Sequence, residues 1–152
     1  MREYNFIPKM TVYQHQVAIC KKLMRCFRLS KAHPELVCHP LTFMKASQED
    51  KEKYLDYNLE VECHKMFIFN YLIVLLGYKK NDKISIVNNP KQGKEKVGQD
   101  FIDQNKELID SLYSIRDKVY SHFDDDFLNH TRVITYHEIE KCVNFLIKYF
   151  EL

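Results

Sequence analysis

The sequence predicts an all-α fold, a four- to five-helix up-and-down bundle with a long basic loop between its second and third helices. Three observations carry that expectation. Glycine and proline number only three and four in 152 residues, so the residues that most disfavour helix interiors are scarce. Apolar residues recur at helical spacing in four separate stretches. Capping residues stand where two of those stretches begin. A chain of this length is expected to form a single domain, 1–152, with a substantial core.

The first helix is expected from Thr11 to Lys31, with Val12, Ile19, Leu23, Cys26 and Phe27 on its apolar side. Pro34 and Pro40 bracket a connection, Ala32 to Ser47, with room for a short helical turn around Leu41–Lys45. The second helix is the long one, Gln48 to Leu76. Ser47 and Asp50 form its capping pair, and Gly77 is its stop. Its early half is polar and carries Tyr54 and Tyr57. From Met66 onward it is apolar nearly all round, which suits the centre of a bundle or a subunit interface.

Residues 78–98 read as a lysine- and asparagine-rich loop. A loop much longer than about 12–15 residues signals function or disorder in a compact domain. Ile84 to Val87 has strand-like composition, but one isolated strand is not viable. The third helix is expected from Gln99 to His122, with Phe101, Leu108, Leu112, Ile115 and Val119 as its stripe, and Asp124–Asp126 breaks the pattern. The fourth runs from Tyr136 to Glu151. Thr135 and Glu138 form a capping box, and Ile139, Val143, Leu146, Ile147 and Phe150 form its apolar face.

A formal charge of +2 neither demands nor excludes a nucleic-acid partner. The local distribution is more informative. Lys21, Lys22, Arg25 and Arg28 crowd one end of the first helix and are candidate RNA contacts. Lys79, Lys80, Lys83, Lys91, Lys94 and Lys96 crowd the loop, and most such lysines are ordinary solvated surface. The five cysteines include no Cys-x-x-Cys pair, and no secretory signal opens the chain. The most apolar run, Met66 to Leu76, contains Asn70 and is about half the ~20 residues that span a bilayer. These features lead to the expectation of a reduced, cytoplasmic protein with no membrane partner.

No metal and no cofactor is expected. Cys38-His39 with His33, and Cys63-His64 with Glu60, lack zinc-site spacing. Gly93 and Gly98 are isolated and make no phosphate-cradling loop.

The stretch Ser114-Ile115-Arg116-Asp117-Lys118-Val119-Tyr120-Ser121-His122-Phe123-Asp124 carries the most specific chemistry. Arginine holds a phosphate, and histidine moves a proton near neutral pH. That pair is the minimum equipment for RNA transesterification. Asp117 would orient either side chain, Tyr120 would offer a hydroxyl or a stacking face, and Lys118 would add an RNA contact. On one regular helix, six residues advance about 9 Å and turn about 600°, so Arg116 and His122 flank opposite edges of the stripe. They meet on one phosphate only if the helix ends or kinks before His122, or if a second chain completes the site across a two-fold axis. The bland alternative is that both side chains complement the helix dipole at its C-terminal end.

Ile115 to Asp124, "IRDKVYSHFD", resembles the signature of the HEPN superfamily, and its abortive-infection branch in particular. The resemblance implies a bundle of four or five helices and dimerisation around the motif. It also implies metal-independent endoribonuclease activity, used as a toxin in phage defence or toxin–antitoxin systems. Arg116 and His122 match the family's catalytic pair, and Asp117 matches the polar position after the arginine. The implied partners are an RNA substrate, a second copy of the chain, and an antitoxin or regulatory protein. The members that pair with nucleotidyltransferase antitoxins carry a tyrosine two residues after the histidine, where this chain has Asp124. The alternative within the same family is a catalytically inactive helical dimer that binds a nucleotide, RNA or protein.

Overall fold

The computed structural model describes residues 9–31, 45, 47–117 and 134–152, apart from the side chains at 54, 57, 58, 61 and 62. Five helices are present among them, in the order α1 Val12–Lys31, α2 Gln48–Leu76, α3 Glu95–Gln104, α4 Lys106–Ile115 and α5 Tyr136–Phe150. No strand occurs among the described residues. Helix α2 packs on α1 and α4, and α5 closes on α1. No helix among the described residues is long and apolar enough to cross a membrane.

One apolar core draws on all five helices. Its centre is the second half of α2, where Leu72, Ile73, Leu75 and Leu76 are fully buried. Each such side chain contributes about 1.5–3 kcal/mol relative to exposure. Helix α1 presents Gln16, Cys20, Leu23, Phe27 and Ser30 to this core, a four-three spacing that keeps one stripe inward. Val12, expected in that stripe, is exposed.

The caps follow the sequence. Ser47 Oγ accepts from the Asp50 N–H at 3.2 Å. At α5, Thr135 Oγ1 accepts from the Glu138 N–H at 3.2 Å and Glu138 Oε2 accepts from the Thr135 N–H at 2.9 Å. Gly77 ends α2 for another reason than the left-handed turn usual at such stops. Its φ is −62°, but a Cβ there would lie 2.6 Å from both Asp82 Cγ and Ile73 O.

Two elements depart from expectation. The loop after α2 is a packed series of turns. Ile86 and Ser85 are fully buried. Gln16 Nε2 donates to Ile84 O and Asn89 O, each at 2.8 Å, and more weakly to Ser85 O at 3.3 Å. The Lys91 N–H donates to Tyr149 Oη at 2.7 Å, and the ammonium groups of Lys91 and Lys94 lie 3.3 and 3.9 Å from the Glu151 carboxylate. Two of its lysines, Lys91 and Lys94, thus fold back onto the end of α5.

The third expected helix, Gln99–His122, is two helices. It starts earlier, at Glu95, and breaks at Asn105. Asn105 is buried, its Nδ2 donates to Phe101 O at 2.8 Å, and its Oδ1 accepts from Lys141 Nζ at 2.6 Å. Asparagine offers the backbone an alternative to helical bonding, and the lysine from α5 fixes that alternative here.

The cysteines divide by burial. Cys20 and Cys142 are buried, Cys26 is half-buried and Cys63 is exposed. Cys38 lies outside the described residues. Burial pushes the Cys20 and Cys142 thiols up to about 11 and about 12. Only the thiolate reacts. Peptide mapping after brief native alkylation at pH 8 should therefore show Cys63 modified, with Cys20 and Cys142 modified only in denaturant. Equal labelling of all three would contradict this core.

Candidate active site

The motif arginine stands where α4 ends. Its backbone N–H donates to Leu112 O and Tyr113 O. Arg116 itself keeps a right-handed helical backbone, with φ −55° and ψ −50°. Lys118, Tyr120 and His122 lie outside the described residues.

Arg116 is held from two sides. Its Nε and one terminal nitrogen each lie 2.8 Å from Asp117 Oδ1. Its guanidinium carbon lies 5.4 Å from the centroid of the Tyr113 ring, within cation–π range. The side chain keeps 28% of its exposure, and Asp117 keeps 45%. Asp117 thus holds the arginine through a partly exposed pair worth about 0–1 kcal/mol. That is weak enough for a phosphate to displace it.

Tyr113 was not singled out by the sequence, yet it is the best anchored side chain near the motif. Its ring is buried. Its hydroxyl donates to Asp82 Oδ2 and accepts from the backbone N–H groups of Tyr78 at 2.9 Å and Lys79 at 3.4 Å. Lys79 Nζ lies 4.2 Å from its ring centroid. Tyr78 meets it edge-on at 5.6 Å and 89°, and donates its own hydroxyl to Asp110. Lys106 Nζ lies 5.5 Å from the Tyr78 ring. Two tyrosines from different elements thus tie α4 to the turn after α2. They gather Lys79, Lys106 and Arg116 over their rings, with Asp82, Asp110 and Asp117 as counter-charges. The only sequence signal for Tyr113 was its place one turn before Arg116.

Burial, then the hydrogen bond to Asp82, pushes the Tyr113 phenol up to about 12. The hydrogen bond to Asp110, then burial and the charges of Asp110 and Asp82, raises that of Tyr78. Both hydroxyls stay protonated near neutral pH, so neither serves as a base. Between the ordinary tyrosine value of 10 and about 12, the unfolded chain gives up a proton that folded Tyr113 keeps. Stability therefore falls as pH rises through that window. The buried thiols begin the decline from their ordinary value of 9. The urea midpoint should hold from pH 7 to 9 and fall above it, less steeply in Tyr113→Phe. An identical slope in that variant would refute the anchoring of Tyr113.

Of the basic residues read as RNA contacts, Lys21, Lys22, Arg25 and Arg28 are exposed on α1, and three of them line a groove against α5. They are not in the cluster around Tyr113. Among the described residues, no group of three His, Cys, Asp or Glu side chains is placed to hold a metal. No protein-family model, no curated protein and no solved structure matches the chain.

Proposed function

We propose that the protein is a HEPN-like endoribonuclease that cleaves RNA through Arg116 and His122, and that it acts as a toxin in phage defence or a toxin–antitoxin system. The observation that carries this reading is the string Ile115 to Asp124 at the end of an amphipathic helix, with one further helix after it, in an all-helical fold. The placement of Arg116 is consistent with the chemistry. It is partly exposed, braced by a buried ring, and paired to a carboxylate that an incoming phosphate can replace.

In the proposed reaction, His122 takes the proton of a ribose 2′-hydroxyl. The 2′-oxygen then attacks phosphorus, and the bond to the 5′-oxygen breaks as that oxygen gains a proton. Arg116 stabilises the charge that grows on the non-bridging oxygens. The products are a 2′,3′-cyclic phosphate and a 5′-hydroxyl. DNA lacks the attacking hydroxyl and is not cut.

The partner in this reading is a second copy of the chain, so that the arginine of one protomer works with the histidine of the other. Incubating purified protein with end-labelled RNA in EDTA is the test. Cyclic-phosphate ends should accumulate, and no cleavage at any protein concentration would sink the proposal. The second reading is a helical dimer that binds RNA without turnover. In that case RNA is retained but not cut, and His122→Ala leaves retention unchanged.

A further inference from the structure

A groove of about 410 Å³ runs between α1 and α5. Its floor is apolar, built from Met24, Phe27, Val143 and Ile147. One rim is cationic, with Lys21, Arg25 and Arg28 at i, i+4 and i+7 along a single edge of α1, and Asn144 stands on the other rim. These cations span about 10 Å at 1.5 Å per residue. None of the three makes an ion pair with another described residue, whereas Lys31 at the end of the same helix is paired with Glu140 at 3.2 Å.

The floor decides between two kinds of polyanion. A single-stranded nucleic acid seeks flat aromatic faces on which bases stack. The only aromatic ring in this floor among the described residues, Phe27, is 8% exposed and already meets Tyr136 at 6.5 Å and the Lys31 ammonium at 5.0 Å. Met24 and Ile147, both half-buried, instead offer irregular aliphatic surface above the buried Val143, and methionine adapts to varied side chains. An aliphatic floor beside a cationic rim is complementary to an amphipathic helix with leucine-like residues on one face and carboxylates along its edge.

We infer that the α1–α5 groove docks an acidic amphipathic helix of a partner protein, its aliphatic face on Met24 and Ile147 and its carboxylates on Lys21, Arg25 and Arg28. Docking at this surface does not need the Arg116–His122 motif to be catalytic.

The test uses the full-length protein and a fluorescein-labelled synthetic helix of about 18 residues, about 27 Å long, with Leu at i, i+3, i+4 and i+7 and Glu on the flanks. Anisotropy should report saturable binding. Arg25→Glu with Arg28→Glu should weaken it at least about tenfold, and Met24→Ser should weaken it too. Amide shifts on peptide addition should map to Lys21, Arg25, Val143 and Ile147. Unchanged helical circular dichroism shows that each variant is folded. A scrambled peptide of equal charge that binds as well would overturn the inference, because charge alone would then suffice. So would an oligouridine that binds through Arg25 and Arg28 while the peptide does not. A dimer that the double charge reversal dissociates would give the groove to a second copy and overturn it equally.

Discussion

His122→Ala and Arg116→Ala should each lower RNA cleavage by about 10²–10⁴-fold, the range for losing a positioned proton-transfer group or a charge-stabilising donor. Helical circular dichroism should be unchanged in Arg116→Ala, because Arg116 is partly exposed and its pair with Asp117 contributes little to stability. A sharper result comes from mixing the two dead variants. If each site joins the arginine of one chain to the histidine of its partner, a mixed dimer contains one site with both residues mutated and one with both intact. Random exchange of equal amounts makes half the dimers mixed, so about a quarter of wild-type activity should return. If the two residues serve together within one chain, every mixed site lacks one of them and nothing returns. Full activity in either single variant would remove the ribonuclease reading altogether.

The elements that local chemistry dictates were legible in the sequence. Helix α2 runs over the residues expected, Gln48–Leu76, because Ser47 caps one end and the approach of Asp82 and Ile73 O requires glycine at the other. Helix α5 starts at its Thr135–Glu138 box as expected. What was not legible depends on partners distant in sequence. The break at Asn105 needs Lys141 from another helix to hold its side chain, and without that partner a single asparagine reads as tolerable inside a continuous stripe. The loop after α2 looked like a solvated lysine-rich segment, because each Lys is polar in isolation. Its burial is set by Ile86 and by a glutamine dozens of residues away on α1. The same limit applies to the candidate site. The motif named Arg116 and Asp117, but the ring that supports the guanidinium is anchored by Asp82 and by two backbone amides across the bundle. A pattern within one helix cannot report such contacts.

That glutamine carries the largest expected effect on stability. Gln16 is 1% exposed, although the remainder of the inward stripe of α1 is apolar or small. Its amide nitrogen supplies the carbonyls of Ile84 and Asn89 at 2.8 Å each. Ser85 O retains the Asn89 N–H at 2.9 Å whatever occupies position 16. Gln16→Leu keeps the volume and apolar contact but removes both good donors. Two part-buried carbonyls then lack their partner, at roughly 1–3 kcal/mol each. Destabilisation of about 2–6 kcal/mol should follow, a large share of the 5–15 kcal/mol typical of a folded domain. Urea unfolding should show a lower midpoint. Gln16→Glu should be no better, because a carboxylate accepts and cannot donate to a carbonyl. A loss below about 0.5 kcal/mol in the leucine variant would mean that Gln16 does not pin the loop, since that is the scatter of an ordinary surface substitution. The consequence reaches the candidate site through one chain of contacts. Gln16 fixes the turns that follow Asp82, Asp82 accepts from Tyr113, and the ring of Tyr113 lies against Arg116. Loosening the loop should therefore lower cleavage per folded molecule as well as the folded fraction, and titrating urea well below the midpoint separates the two.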